Sequence, residues 1–175
     1  MPSGSAEEHP SGMKKRIDVA AIAPIVGTLY PAPFDEPCRS RARKKLGDAA
    51  GLTQFGVNLL HLPPGAWSSQ RHWHTAGDEF VYVLSGEVTL VSDGGDELLC
   101  AGDAAGFKAG DTNGHCLQNR SDSDAYVLEI GTRVTGDVGY YSDIDMVAPA
   151  GGQPAAYTRR DGTPYQDIKR RGPES

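Results

Sequence analysis

The chain has 175 residues, 38% of them apolar and 23% charged, which is enough for one domain with a hydrophobic core. Its 22 glycines and 12 prolines favour short strands and turns, and they exclude a helical bundle, a collagen-like fibre and a fully disordered chain. The formal net charge is -6, and residues 46–158 hold 15 acidic but only 4 basic side chains. This acidic middle argues against a nucleic-acid partner because it repels phosphate backbones.

The first 52 residues lack the pattern of a folded core. We expect a disordered extension over residues 1–16 and an extended arm over residues 17–52. The uncharged stretch at residues 19–34 contains three prolines and is too short to span a bilayer, so no membrane association is expected. The arm ends in a basic run over residues 39–45, interpreted as a solvated loop or a segment packing on the acidic middle. An anion-binding role for this run is the alternative.

From residue 53 onward, short apolar segments alternate with turn signals. The segments cover residues 55–62, 68–74, 79–84, 87–91, 97–100 and 126–130. This spacing predicts an all-β sandwich or barrel over residues 53–131, followed by an extended C-terminal tail over residues 132–175. Neither flank alone is long or apolar enough for a second core. Residues 80–84 and 88–91 are apolar on both faces, so a second sheet or a second subunit is expected on the outside, which favours a homodimer.

Two kinds of metal-binding side chain cluster around the turn at residues 75–78. In His72-Trp73-His74 an extended backbone points both imidazoles to one side, and Glu79 begins the next strand. Two or three imidazoles with one carboxylate suit a divalent Fe, Mn, Ni, Co or Zn ion and leave coordination positions open. Taken alone, a His-x-His pair is more typical of ordinary core or surface histidines than of a metal site.

The flanking pattern is more specific than the pair. It runs Gly65-x6-His72-x-His74-x4-Glu79-x6-Gly86, then Gly102-Asp103-x3-Phe107-x2-Gly110-x4-His115-x3-Asn119. This resembles the two signature motifs of the cupin superfamily, small single-domain barrels among them. The resemblance implies a jelly-roll barrel, often dimeric, with one metal held by His72, His74, Glu79 and His115. Two departures, Lys108 in place of the usual proline and a longer spacing before His115, indicate an inserted loop at the barrel mouth.

Four further residues are expected to line the cavity around the metal. Strand alternation places Gln70 on the face of His72 and His74, where it either hydrogen-bonds a bound ligand or is a polar core residue satisfied by backbone. By the same alternation Val81 and Val83 follow Glu79, and Leu117 follows His115, which surrounds the site with hydrocarbon. The inward positions named from the sequence include no lysine or arginine, which counts against a phosphorylated sugar as substrate.

These patterns predict a metal-binding cupin that acts on a small oxygenated metabolite as a dioxygenase, isomerase or lyase. The alternatives are a non-catalytic cupin that binds or senses a small ligand or metal, and a structural barrel with an empty site. Three cysteines without CxxC spacing favour reduced thiols and a cytoplasmic location.

Overall fold

Short antiparallel strands make up most of the regular structure. A computed structural model describes residues 15–150 and 156–175, so the predicted extension over residues 1–16 lies almost entirely outside the described residues. The strands in chain order are β1 (Ile25–Val26), β2 (Ala42–Lys45), β3 (Phe55–Leu62), β4 (His72–His74), β5 (Glu79–Ser85), β6 (Glu87–Ser92), β7 (Gly95–Cys100), β8 (Ala104–Phe107), β9 (Cys116–Gln118), β10 (Ala125–Thr132), β11 (Gly139–Tyr141) and β12 (Val147–Ala148).

Helical structure is limited to a few turns. The α-helix α1 covers Leu46–Ala49, and 3-10 turns cover Val19–Ala21 and Glu36–Cys38. In the described part of the chain, no helix has the length and apolar character needed to cross a membrane.

The strands form a six-stranded sheet and two three-stranded sheets. The large sheet has the order β1-β2-β3-β10-β5-β8, and the small sheets have the orders β7-β6-β9 and β12-β11-β4. The hydrophobic core lies between the large sheet and the β7-β6-β9 sheet, and its fully buried members include Leu60, Val83, Val88 and Val127. The jelly-roll barrel expected from the sequence is therefore confirmed.

Strand β5 follows the alternation predicted for it. Val81 and Val83 point into the core, whereas Phe80, Tyr82 and Leu84 lie on the outer face and are about 40–50% exposed. At the end of β5, Gly86 adopts a φ of +75°, and a Cβ atom there would lie 2.5 Å from the carbonyl oxygen of Asp124. Only glycine fits this β5–β6 turn without strain.

Two barrel segments differ from the sequence expectation. The strand expected over residues 68–74 begins only at His72, because the chain bends at Ser68, whose carbonyl oxygen accepts hydrogen bonds from Arg41 and Arg43. Strand β8 was not expected because Ala104, Ala105 and Gly106 are weak strand formers. It forms through antiparallel pairing with β5.

Both flanks belong to the fold rather than trailing from it. Strand β2 pairs with β3, and β11 from the C-terminal tail pairs with β4, so the tail covers the strand that carries His72 and His74. Although neither flank forms a core alone, the two together bury Tyr30, Cys38, Tyr141 and Met146 as a second hydrophobic cluster. The arm and tail thereby close the barrel on the side of the histidines.

Candidate metal centre

Strand β4 brings two imidazoles to one site. His72 and His74 are separated by one residue on an extended backbone, and β11 holds them in place by pairing Tyr141 with His72 and Gly139 with His74. On the other side, the backbone amide of His72 donates to the carbonyl of His115 at 3.0 Å, and the His115 amide donates back at 2.9 Å. This bridge places a third imidazole beside the first two.

Glu79 supplies the carboxylate at the centre of the three rings. Its Oε2 atom lies 3.1 Å from Nε2 of His115, 3.6 Å from Nε2 of His72 and 3.7 Å from Nε2 of His74. The same oxygen is buried and has no hydrogen-bond partner of acceptable geometry among the described residues. A buried carboxylate oxygen without a hydrogen bond is costly. His72, His74 and Glu79 offer ligand atoms that all lie within 4.8 Å of one another, and His115 contacts the same carboxylate. A divalent cation bound there would remove that cost, so the residues fit a metal ion.

Burial and charge set the protonation of this cluster. Burial lowers the pKa of His72 to about 4, so its ring is neutral at pH 7. Burial alone would raise the pKa of Glu79, but the contact with His115 and the nearby rings of His72 and His74 outweigh it and lower the pKa to about 2. A neutral imidazole next to an ionised carboxylate is the state in which both groups coordinate a metal.

The far side of each β4 imidazole is held by a hydrogen-bond acceptor. Nδ1 of His72 donates to the carbonyl oxygen of Gln70 at 3.0 Å, and Nδ1 of His74 donates to Oδ2 of Asp137 at 2.5 Å. A proton on Nδ1 leaves a lone pair on Nε2, the atom that faces Glu79. Burial would raise the pKa of Asp137, but the amides of Ala76 and Gly77 and the ring of His74 lower it below its usual value.

The site opens into a cavity of about 320 Å³ that is lined by His72, His74, Glu79 and His115 and by arginines. Arg43, from β2, makes a bidentate ion pair with Glu129, with Nε–Oε2 at 2.6 Å and Nη2–Oε1 at 2.8 Å. The neighbouring Arg41 is 8% exposed and stands over the ring of Tyr30. Guanidinium groups therefore lie close to the carboxylate–imidazole cluster, in a cavity that is also lined by the carboxylates of Asp78, Glu129 and Asp137.

Comparison with known proteins identifies the fold family. Residues 58–131 match a family described as a cupin domain. The crystal structure of a protein described as a sugar phosphate isomerase of the cupin superfamily, from Silicibacter pomeroyi, is 44% identical with a TM-score of 0.81, covering 88% of this chain and 99% of that chain. The chain belongs to the cupin superfamily.

Two other solved structures are similar to this cupin. A putative sugar phosphate isomerase from Acidithiobacillus ferrooxidans is 31% identical, with a TM-score of 0.60 and coverage of 75% of this chain and 80% of that chain. A predicted oxalate decarboxylase from Thermotoga maritima, at 22% identity and a TM-score of 0.55, covers 70% of this cupin and the whole of that chain and shares the fold. No curated protein matches the sequence.

The residues expected to line the cupin cavity occupy different surroundings. Val81 and Leu117 line the cavity, and Val83 is fully buried in the core next to it. Gln70 is 9% exposed and its Nε2 donates to the carbonyl oxygen of Phe34 at 2.7 Å. This placement matches the second expectation for Gln70, a polar core residue satisfied by backbone.

Sequence reasoning missed Arg41, Arg43 and Asp137. The arginines belong to the basic run interpreted as a solvated loop or packing segment, but Arg43 in β2 and Arg41 just before it both line the cavity. Their spacing of two residues was the available signal, because alternate positions of a strand share a face. Asp137 lies in the tail and had no local signal, since its role depends on β11 returning to β4. The loop before His115, which the spacing predicts to be an insertion, packs back on the site, where the Gly110 amide donates to the carbonyl of His74 at 2.8 Å.

Proposed function

We propose that this cupin is a metal-dependent isomerase of a small phosphorylated sugar. The observation that carries the proposal is the cavity in which three imidazoles and a carboxylate stand beside Arg43 and Arg41. This removes the sequence-based objection to a phosphorylated substrate, which rested on the lack of inward-facing cations. The similarity to two proteins described as sugar phosphate isomerases, at 44% and 31% identity, supports the same reaction class.

We assign metal binding to His72, His74, Glu79 and His115. A divalent Fe, Mn, Ni, Co or Zn ion bound there would act as a Lewis acid on the carbonyl and hydroxyl oxygens of the substrate. Aldose–ketose isomerisation moves protons within one molecule, so it needs no oxidant or reductant.

The remaining cavity residues orient and desolvate the site. Asp137 and the carbonyl of Gln70 hold the β4 rings, and the ring of Phe107 stacks on His115 with centroids 3.4 Å apart. Apolar walls from Val81 and Leu117 lower the local dielectric, which strengthens the interaction of charged groups with a bound substrate.

Turnover in deuterated water tests the proposal. The protein is loaded in turn with each of the five metals and incubated with aldose and ketose phosphates, and the products are followed by NMR. We expect interconversion that depends on the metal, with deuterium exchange at the carbon next to the carbonyl. Stoichiometric ligand binding without product under every metal would contradict the isomerase and favour a binding or sensing cupin.

Matched variants locate the activity. His74→Asn and Glu79→Gln are expected to lower bound metal, measured by elemental analysis, and to abolish turnover. His61→Asn is the control, because His61 contacts Asp124 at 3.0 Å and stacks on Tyr126 without lining the metal cavity. Full metal content in Glu79→Gln would remove Glu79 from the ligand set.

We propose a homodimer that covers the outer face of the large sheet. Phe80, Tyr82 and Leu84 on β5 are 42%, 39% and 48% exposed, and Tyr126 on the paired strand β10 is 38% exposed. A contiguous apolar face of this kind is typical of a subunit interface. Light scattering is expected to give twice the mass of the chain, and Tyr82→Lys is expected to give the monomer. A monomeric wild-type protein would refute the dimer.

A further inference from the structure

A second cavity lies between the N-terminal arm and the C-terminal tail. It has a volume of about 170 Å³ and is lined by Arg43 and Lys45 from β2, by Gly27 and Arg41 from the rest of the arm, and by Tyr157 and Arg170 from the tail. Its volume is more than five times the roughly 30 Å³ that a water molecule occupies in the liquid, so a five-atom phosphate group has room there. We call this cavity the cationic pocket.

The cationic pocket concentrates positive charge in a protein whose net charge is -6. Four of its lining residues are basic and none is acidic. Arg43 and Lys45 are on one face of β2, and Arg41 precedes the strand at the same spacing, which brings all three side chains to the pocket. A concave surface lined by one sign of charge attracts ions of the opposite sign.

Among the described residues, two of these cations, Arg43 and Lys45, have a carboxylate partner, and the other two, Arg41 and Arg170, have none. Arg43 is paired with Glu129, and Lys45 Nζ lies 3.6 Å from Asp48 at the surface. Arg41 instead donates only to neutral acceptors, the carbonyl oxygens of Gly27 and Ser68 and the hydroxyl of Thr28. Across the described ranges 15–150 and 156–175, no carboxylate oxygen lies within 4.0 Å of the charged groups of Arg41 or Arg170.

The lack of a carboxylate partner matters most for Arg41, because its charged group is buried. Its side chain is nearly enclosed, and a buried guanidinium without a carboxylate partner is costly unless an anion compensates its charge. Arg170 reaches the pocket from the opposite wall, where Nη1 donates to the carbonyl oxygen of Gly27 at 3.4 Å. Lys45 and Arg170 are exposed and mark the entrance, whereas Arg41 marks the closed end.

We propose that the cationic pocket binds a phosphate group. Arg41 and Arg43 line both this pocket and the metal cavity, so the two spaces share a wall of guanidinium groups. The phosphate belongs either to the substrate, in which case the inference rests on the proposed isomerase function, or to a separate small effector. Phosphate binding itself requires neither a metal nor catalysis.

Calorimetric titration of the metal-free protein with inorganic phosphate tests the binding. The double variant Lys45→Gln/Arg170→Gln removes two exposed charges that line only the cationic pocket. Lys44→Gln/Lys169→Gln is the matched control, because it removes two neighbouring charges that do not line the pocket. We expect the first variant to bind phosphate about tenfold more weakly, near threefold for each exposed charge, and the control to bind as the wild type does. Equal affinity in the two variants, or no binding by the wild type, would overturn the proposal.

Kinetics distinguish the two sources of the phosphate. A substrate phosphate predicts competitive inhibition by inorganic phosphate and a KM raised about tenfold in Lys45→Gln/Arg170→Gln at unchanged kcat. An effector predicts that phosphate changes the rate without competing with the substrate. A protein that binds phosphate as predicted but turns over no sugar phosphate would refute the isomerase and leave the cationic pocket established.

Discussion

Replacement of Asp137 by Asn tests whether a residue outside the barrel motifs controls the metal centre. Oδ2 of Asp137 accepts the Nδ1 proton of His74 at 2.5 Å, and Oδ1 accepts from the amides of Ala76 and Gly77 at 2.8 and 3.1 Å. An Asn side chain keeps the oxygen that faces the two amides but turns an NH2 group toward His74. Two N–H donors, the Asn NH2 group and Nδ1–H of His74, then face each other. His74 avoids this contact by carrying its proton on Nε2 instead of Nδ1.

The proton on Nε2 removes the lone pair that a metal needs. Loss of such an orienting carboxylate typically lowers metal affinity about 10–100-fold, equivalent to about 1.4–2.7 kcal/mol. We therefore expect Asp137→Asn to weaken binding of Zn²⁺ or Co²⁺ by that factor at pH 7.5, measured by competition with a chelator. The absorption spectrum of bound Co²⁺ should also change, because the geometry around the ion depends on His74.

The control for this variant is Asp145→Asn. Asp145 lies in the same C-terminal segment and also accepts a backbone amide, that of Arg160 at 2.8 Å, but it does not contact a metal-binding ring. Equal metal affinity in Asp137→Asn and wild type would refute an orienting role for Asp137. An equal loss of metal affinity in both variants would show that the substitutions act by destabilising the C-terminal tail in general.

Three stability predictions follow from burial, charge and backbone geometry. Burial lowers the pKa of His72 from 6.5 to about 4, so the unfolded chain binds a proton between these pH values that the folded protein does not. The free energy of unfolding of the metal-free protein, measured with urea, should therefore fall by up to about 3 kcal/mol as the pH falls from 6.5 to 4. The decrease should be smaller in His72→Asn. A free energy of unfolding that does not change with pH in the wild type contradicts this prediction. Gly86→Ala should lower the melting temperature more than Gly102→Ala. Both glycines have positive φ, but of the two only Gly86 would bring the added Cβ against backbone atoms. An equal decrease in melting temperature would show that the positive φ alone determines the cost of the substitution. Leu60→Ala, at a fully buried position, should lower the free energy of unfolding by about 2–5 kcal/mol, whereas Leu98→Ala, at a side chain 60% exposed, should lower it by less than about 0.5 kcal/mol.

The features predicted from the sequence are those encoded by local spacing. A separation of two residues places His72 and His74 on one face of a strand, and a glycine-containing turn precedes the strand that begins at Glu79. The segment expected at residues 55–62 has the bounds of β3, and the turn expected between residues 84 and 87 contains Gly86 at positive φ. These features were predictable because each depends on the conformation of a few consecutive residues.

The features that only the tertiary structure decided depend on contacts between distant segments. The bridge between His72 and His115, the insertion of Arg43 beside Glu129, and the return of Asp137 to His74 each join parts of the chain with no shared local pattern. The alternation that predicted Gln70 beside the histidines ended at the bend near Ser68, which the guanidinium groups of β2 stabilise. Side-chain periodicity specifies which face a residue occupies, but only the pairing of strands specifies what lies opposite that face.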